Sequence, residues 1–185
     1  MDMGELPEGW ASWEVKPIEP GMRKSAEEIL VGGGRIARAA MVRRVVERPA
    51  GSAVRRRIYT SAIRGAYGLF NRGDMRFLEG GYAEDCDLDF QAFEPVGLPR
   101  AVHGRPAAAA YLRELRETLG VLYLPRLIVD PGGATFAGMA EFRAVGKVSG
   151  IELGAEHWNL WTIEDGLVAK QTISADREAV LTELY

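Results

Sequence analysis

In this 185-residue chain the run Tyr67-Gly68-Leu69-Phe70-Asn71-Arg72-Gly73-Asp74 carries the clearest signal of architecture. It reads as the last turns of a helix that stops at Asn71, with a second helix restarting at Asp74. Gly73 supplies the permissive backbone between them. Upstream, Val54, Ile58, Ala62, Ala66 and Phe70 recur at i, i+4 spacing and lay an apolar stripe along a helix over residues 52–70. Arg55, Arg56, Arg57 and Arg64 fall largely on its other faces. Downstream, Asp74 caps a helix over residues 74–84 that turns Phe77, Leu78, Gly81 and Tyr82 inward. Residues 87–93 then alternate polar and apolar, as a half-buried strand does.

A third helix is expected over residues 104–119, entered through Pro106. Beyond Gly120 the apolar period becomes two, giving strands at 122–129, 134–145, 151–163 and 167–175. Asp165-Gly166 suits the left-handed backbone of a type I′ hairpin turn. A short helix over residues 176–184 closes the chain. Helices followed by a strand meander predict an α+β fold with a mostly antiparallel sheet.

Toward the N-terminus, Pro7, Pro17 and Pro20 mark an extended arm, and its Trp10 and Trp13 are expected to dock on a partner or on the body of the protein. Ser25 and Glu28 have capping-box spacing. Gly32-Gly33-Gly34 interrupts that helix, and residues 35–48 resume a helical pattern that Pro49-Ala50-Gly51-Ser52 ends. The chain thus divides into an extension, residues 1–51, and a domain, residues 52–185. Residues 32–37 also match the dinucleotide pattern G-x-G-x-x-A. That pattern needs a parallel βαβ unit and an acidic residue about 20 positions on, whereas Arg55, Arg56 and Arg57 follow here. The glycines read instead as a hinge.

Composition narrows the function classes. A net charge of −3 argues against a dedicated nucleic-acid binder. The arginines between Arg35 and Arg57 read as solvated helix faces, because only Tyr59 lies near them for base stacking. Cys86 is the single cysteine, and His103 and His157 are the only histidines, so neither a disulfide framework nor a metal site is expected. No apolar run is long enough for a membrane span, and the acidic start Met1-Asp2-Met3-Gly4-Glu5 does not read as a signal peptide. The expectation is a cytoplasmic protein with no membrane or nucleic-acid partner.

The segments AYGLFNRGD (66–74), YAEDCDLDF (82–90), HGRPAAAAYL (103–112), GKVSGIEL (146–153) and LWTIEDGLVAKQTISADREAVL (160–181) carry a resemblance in their order and spacing. Over residues 54–184 the chain resembles the SnoaL-like group of the nuclear transport factor 2-like superfamily, which includes polyketide cyclases and ketosteroid isomerases. The resemblance implies a cone of strongly curved sheet wrapped round helices, a small apolar ligand in the cone, and a homodimer or higher homo-oligomer. It implies no cofactor. It also implies that the acid–base positions of the family fall at Phe90, Trp158 and Ile173, with the helix tyrosine at Ala66 beside Tyr67. None of these is a carboxylate.

Pairing the last hairpin without a bulge sets Trp158, Leu160, Thr162, Ala169, Gln171 and Ile173 on one face. His157, Asn159, Trp161, Lys170, Thr172 and Ser174 then share the other. The first set, being more apolar, is expected on the concave face; a bulge would exchange the sets. The candidate catalytic residues are Tyr67, His103 and Gln171. The candidate ligand-binding residues are Tyr82, Phe90, Tyr111, Phe142, Trp158, Leu160 and Ile173. His103 is expected near the cavity mouth and His157 on the convex face. Gln171 is expected to meet either a ligand or an internal partner such as Tyr67 or Tyr111. Trp158 either lines the cavity or plugs it. Two functions follow: a cofactor-independent cyclase, isomerase or dehydratase acting on a polyketide- or steroid-like substrate, or a non-catalytic binding or assembly domain.

Overall fold

The computed structural model describes residues 6–18 and 24–185. Pro20 and the acidic start at residues 1–5 lie outside these. The helix break at residues 71–74 forms as the sequence dictates. α1 (Ala26–Val31), α2 (Arg35–Val46) and α3 (Ala53–Asn71) precede it. α1 opens on the expected capping box: the Ser25 hydroxyl accepts from the Glu28 N–H at 3.2 Å, and the Glu28 carboxylate accepts from the Ser25 N–H at 2.6 Å. The residues before the glycines belong to this helix, so no phosphate-cradling strand–loop–helix unit exists there.

After α3, Gly73 takes a left-handed φ of 76°. Its N–H donates to the Phe70 carbonyl at 2.8 Å, and the Asp74 N–H donates to that of Leu69 at 2.9 Å. The Asn71 side chain meets the strand that passes it: Nδ2 donates to the Tyr123 carbonyl at 2.7 Å, and Oδ1 accepts from the Tyr123 N–H at 2.8 Å. The carboxamide thus behaves as a short piece of strand and fixes the joint to the sheet.

α4 (Arg76–Gly81) starts after Met75, so Asp74 stands one residue ahead of the N-cap. Its carboxylate still accepts from the Arg76 N–H at 3.2 Å and pairs with Lys24 at 2.8 Å. Gly80 and Gly81 end this helix early, and β2 (Tyr82–Asp89) begins at once, ahead of the expected strand. A 3-10 helix (Gln91–Val96) then replaces the far end of the expected strand. β3 (Ala101–His103) and α5 (Arg105–Thr118) follow. The meander consists of β4 (Leu119–Asp130), β5 (Thr135–Gly146), β6 (Glu152–Glu164) and β7 (Leu167–Ser174), and α6 (Arg177–Thr182) ends the chain.

One strand also comes from the arm. β1 (Ala11–Glu14) pairs with β4, so the seven-stranded sheet runs β1-β4-β5-β6-β7-β2-β3. All pairings are antiparallel except β2 with β7. Trp13 docks on its own chain: the indole N–H donates to the Thr60 hydroxyl at 2.9 Å, and the ring packs beside Val42, Val45 and Tyr59.

Single-residue bulges interrupt the meander at Arg126 between β4 and β5 and at Ala169 between β6 and β7. Pro125, which cannot donate to a ladder, sits beside the first. The second overturns the unbulged hairpin register. Trp161 lies opposite Gln171 and Asn159 opposite Ile173, where Leu160 and Trp158 were expected. One extra residue moves every side chain of β6 to the other face relative to β7. His157, Asn159 and Trp161 therefore face the helices with Gln171 and Ile173. Trp158 and Leu160 join Leu127, Val129 and Met139 on the convex side, covered by Val180, Leu181 and Trp10. Buried apolar residues thus occupy both faces, which is why polarity alone did not select the inner one.

Candidate functional site

Between α3, α4, α5 and the concave sheet lies a cavity of about 130 Å³. Its wall is largely aliphatic and aromatic, with Phe70, Phe77, Leu88, Phe90, Leu115 and Trp161 among its members. The polar atoms come from Tyr59, Tyr67, Tyr82, Tyr123 and Gln171, and from one guanidinium, that of Arg38. Among the described residues, no carboxylate lines this cavity.

Gln171 and Tyr67 both reach the cavity, and Tyr82, Phe90 and Ile173 line it. Tyr111 and Phe142 stand one layer behind. Tyr111 stacks on Phe90 with ring centroids 4.3 Å apart, and Phe142 stacks on His157 at 4.6 Å. Trp158 and Leu160 are outside, on the convex face, so Trp158 does not plug the cone. His103 is outside as well. It stands exposed on β3 and pairs with Asp87 at 2.7 Å, which raises its pKa above the usual imidazole value.

Gln171 finds its partners within the protein. The Tyr82 hydroxyl donates to Oε1 at 2.7 Å, and Nε2 donates to Asn159 Oδ1 at 3.0 Å. Burial holds the Tyr82 phenol well above its ordinary pKa, so this donor stays protonated. Removing the amide strands both neighbours. Gln171→Leu is expected to lower the unfolding free energy by roughly 2 kcal/mol or more, read as a fall in the urea midpoint at unchanged slope.

His157, expected on the convex face, is instead buried at 3 % exposure. Its Nδ1 lies 2.6 Å from the Tyr123 hydroxyl, and Phe93 meets the ring edge-on at 5.3 Å. Desolvation among these aromatics pushes its pKa down to about 4, so the imidazole is neutral at pH 7. Burial also drives the Tyr123 phenol well above 10, with Tyr67 and Tyr111 nearby adding to the shift. The pair is a neutral hydrogen-bonded couple. The sequence signal for it was the alternation along β6, which placed His157 on the same face as Asn159 and Trp161; only the register was missing.

Tyr67, like Tyr59 on the same wall, is unmatched. Its hydroxyl is buried and has no hydrogen-bond partner, and burial raises its pKa well above 10. Buried hydroxyls are nearly always paired in native proteins. Among the described residues, no group of three or more His, Cys, Asp or Glu is placed to hold a metal ion. No described helix is long and apolar enough to cross a membrane.

Solved structures share this fold. A nuclear transport factor 2-like protein of unknown function from Burkholderia pseudomallei superposes with a TM-score of 0.55 at 19% identity, covering 66% of this chain and 91% of that one. A candidate polyketide cyclase from Xanthomonas campestris pv. campestris gives 0.54 at 16%, over 68% and 96%. The fold is that of the SnoaL-like, nuclear transport factor 2-like proteins. IdmH, a candidate polyketide cyclase from Streptomyces antibioticus, shares the SnoaL-like cone with a TM-score of 0.53 at 18% identity, over 68% and 96%. No protein-family model matches the sequence, and no curated protein matches it significantly. Within the SnoaL-like cone, the β6 position that the resemblance assigned to Trp158 leaves the cavity wall, and His157 and Asn159 flank it on the concave side.

Proposed function

We propose that this SnoaL-like chain binds one small apolar molecule bearing an oxygen function, with the Tyr67 hydroxyl donating a hydrogen bond to that oxygen. The buried, partnerless Tyr67 hydroxyl on a largely apolar cavity wall carries the reading. The size supports a ligand of about one ring. The cavity of about 130 Å³ is close to the ~150 Å³ apolar cavity that admits benzene, and below the ~300 Å³ at which drug-sized pockets begin. A four-ring substrate would need the helices to separate.

Binding without turnover fits the lining better than carboxylate-driven cyclisation, isomerisation or dehydration. A general base works best with a pKa near the operating pH, and His157 at about 4 is far below it. Tyr123 lines the cavity while touching His157, which favours a second reading. In that reading the pair relays a proton to or from an enol or hydroxyl of the ligand.

The test separates function from stability. Benzyl alcohol and toluene are titrated calorimetrically into the wild type and Tyr67→Phe. The alcohol is expected to bind about tenfold more weakly to the variant, with toluene affinity unchanged. The ligand-free variant is expected to melt at the same temperature as the wild type or higher, because a buried unpaired hydroxyl is removed. Equal affinity of the alcohol for both proteins, or a lower melting point of the variant, would overturn the proposal.

A further inference from the structure

We propose that the ligand carries an anionic oxygen, as a carboxylate or ionised enol, and that Arg38 holds this charge; the inference rests on the binding reading above and specifies its ligand. Among the described residues Arg38 is the one charged side chain in the cavity wall, and it is only 7 % exposed. One guanidinium nitrogen, Nη1, donates to the Val31 carbonyl at the end of α1, whereas Nη2 is buried without a partner. Among the described residues no acidic side chain pairs with it, although Glu27, Glu28, Asp74 and Asp130 each have a basic partner of their own.

The surroundings are shaped around this group. A Cβ added at Gly80 would collide with Nη2, so the end of α4 leaves its side-chain space to the guanidinium. Position adds a direction. An outer groove over α1, α2 and α3 shares Val31, Arg38, Val42, Ile58 and Ala62 with the cavity. Arg38 thus stands where the apolar interior meets the groove. A ring in the cone with its acid group toward the groove would satisfy both halves of the site. Burial lowers the Arg38 pKa to about 10, which leaves the group charged at neutral pH. Arginine donors pair with carboxylates through charge-assisted bonds, roughly twice as strong as neutral ones.

The probes are benzoate and benzyl alcohol, matched in ring and differing in charge, titrated calorimetrically at pH 7.5. Wild type is expected to bind benzoate at least about tenfold more tightly than benzyl alcohol. Arg38→Gln is expected to abolish that preference, and Arg38→Lys to retain part of it. Equal affinity of wild type for the two probes would overturn the charge assignment and leave the binding reading standing. A benzoate preference that survives in Arg38→Gln would place the anion elsewhere and overturn it too. Failure of both probes to bind wild type would defeat the binding reading and this inference together. The wild-type comparison decides the matter even if a variant does not fold.

Discussion

Asp130→Ala is expected to lower the unfolding free energy by about 3–5 kcal/mol, a large part of the total of a typical domain. Asp130 ends β4 and is fully buried, as is Arg55 in the first turn of α3. The two form a forked pair, Nε to Oδ2 at 2.8 Å and Nη2 to Oδ1 at 2.6 Å. The remaining donors of Arg55 reach the carbonyls of Val46 at 2.9 Å and Gly133 at 3.0 Å. The carboxylate also accepts from the N–H groups of Gly51 at 3.1 Å and Gly132 at 3.0 Å. One ion pair therefore ties the end of α2, the start of α3 and the β4–β5 turn. Replacing the carboxylate leaves a guanidinium in the core with nothing to balance it. The double variant Arg55→Met, Asp130→Leu is expected to recover part of the loss, because the stranded charge disappears with its partner. Urea melts of the three variants check this, and a loss below about 1 kcal/mol for Asp130→Ala would refute it.

His157 gives the second large effect, and it appears only on acidification. Its folded pKa of about 4 lies below the ordinary 6.5. Between those values the unfolded chain binds the proton and the folded chain does not, so protonation favours unfolding. The destabilisation is absent above pH 6.5, grows as pH falls through this window, and levels off below about 4. Its full size is about 3 kcal/mol. Paired carboxylates such as Glu28 and Asp89, whose pKa values are lowered, also lose stabilisation at low pH. The measurement is therefore a difference. The stability of wild type minus that of His157→Gln, from urea melts at pH 7.5 and pH 4, is expected to fall by about 3 kcal/mol. A pH-independent difference would mean that the imidazole is not held neutral by its surroundings.

Much of the architecture was legible in local chemistry. The stop at Asn71 and the left-handed Gly73 follow from backbone preference, and the Ser25–Glu28 capping box follows from reach along one turn. Period-two apolarity beyond Gly120 announced the meander, and the Asp165-Gly166 turn lies where β6 and β7 meet. Tyr67, Tyr82, Phe90, Gln171 and Ile173 line the cavity. Arg55 was read on a solvated helix face, since nothing in its helix reveals a carboxylate 75 positions away. Arg38 was read the same way, since nothing in its helix reveals that the Val31 carbonyl and Gly80 enclose it.

The helix break, the strand meander and the α+β class follow from local pattern, because capping, turn geometry and periodicity act over a few residues. Which face of β6 meets the cavity was settled by packing across the sheet. A single bulged residue, Ala169, sends His157 inward and Trp158 outward, and both faces of that strand are apolar enough to be buried. Packing likewise decided which arginines are buried. Desolvation and pairing depend on groups that fold together from distant segments, and no local pattern records them.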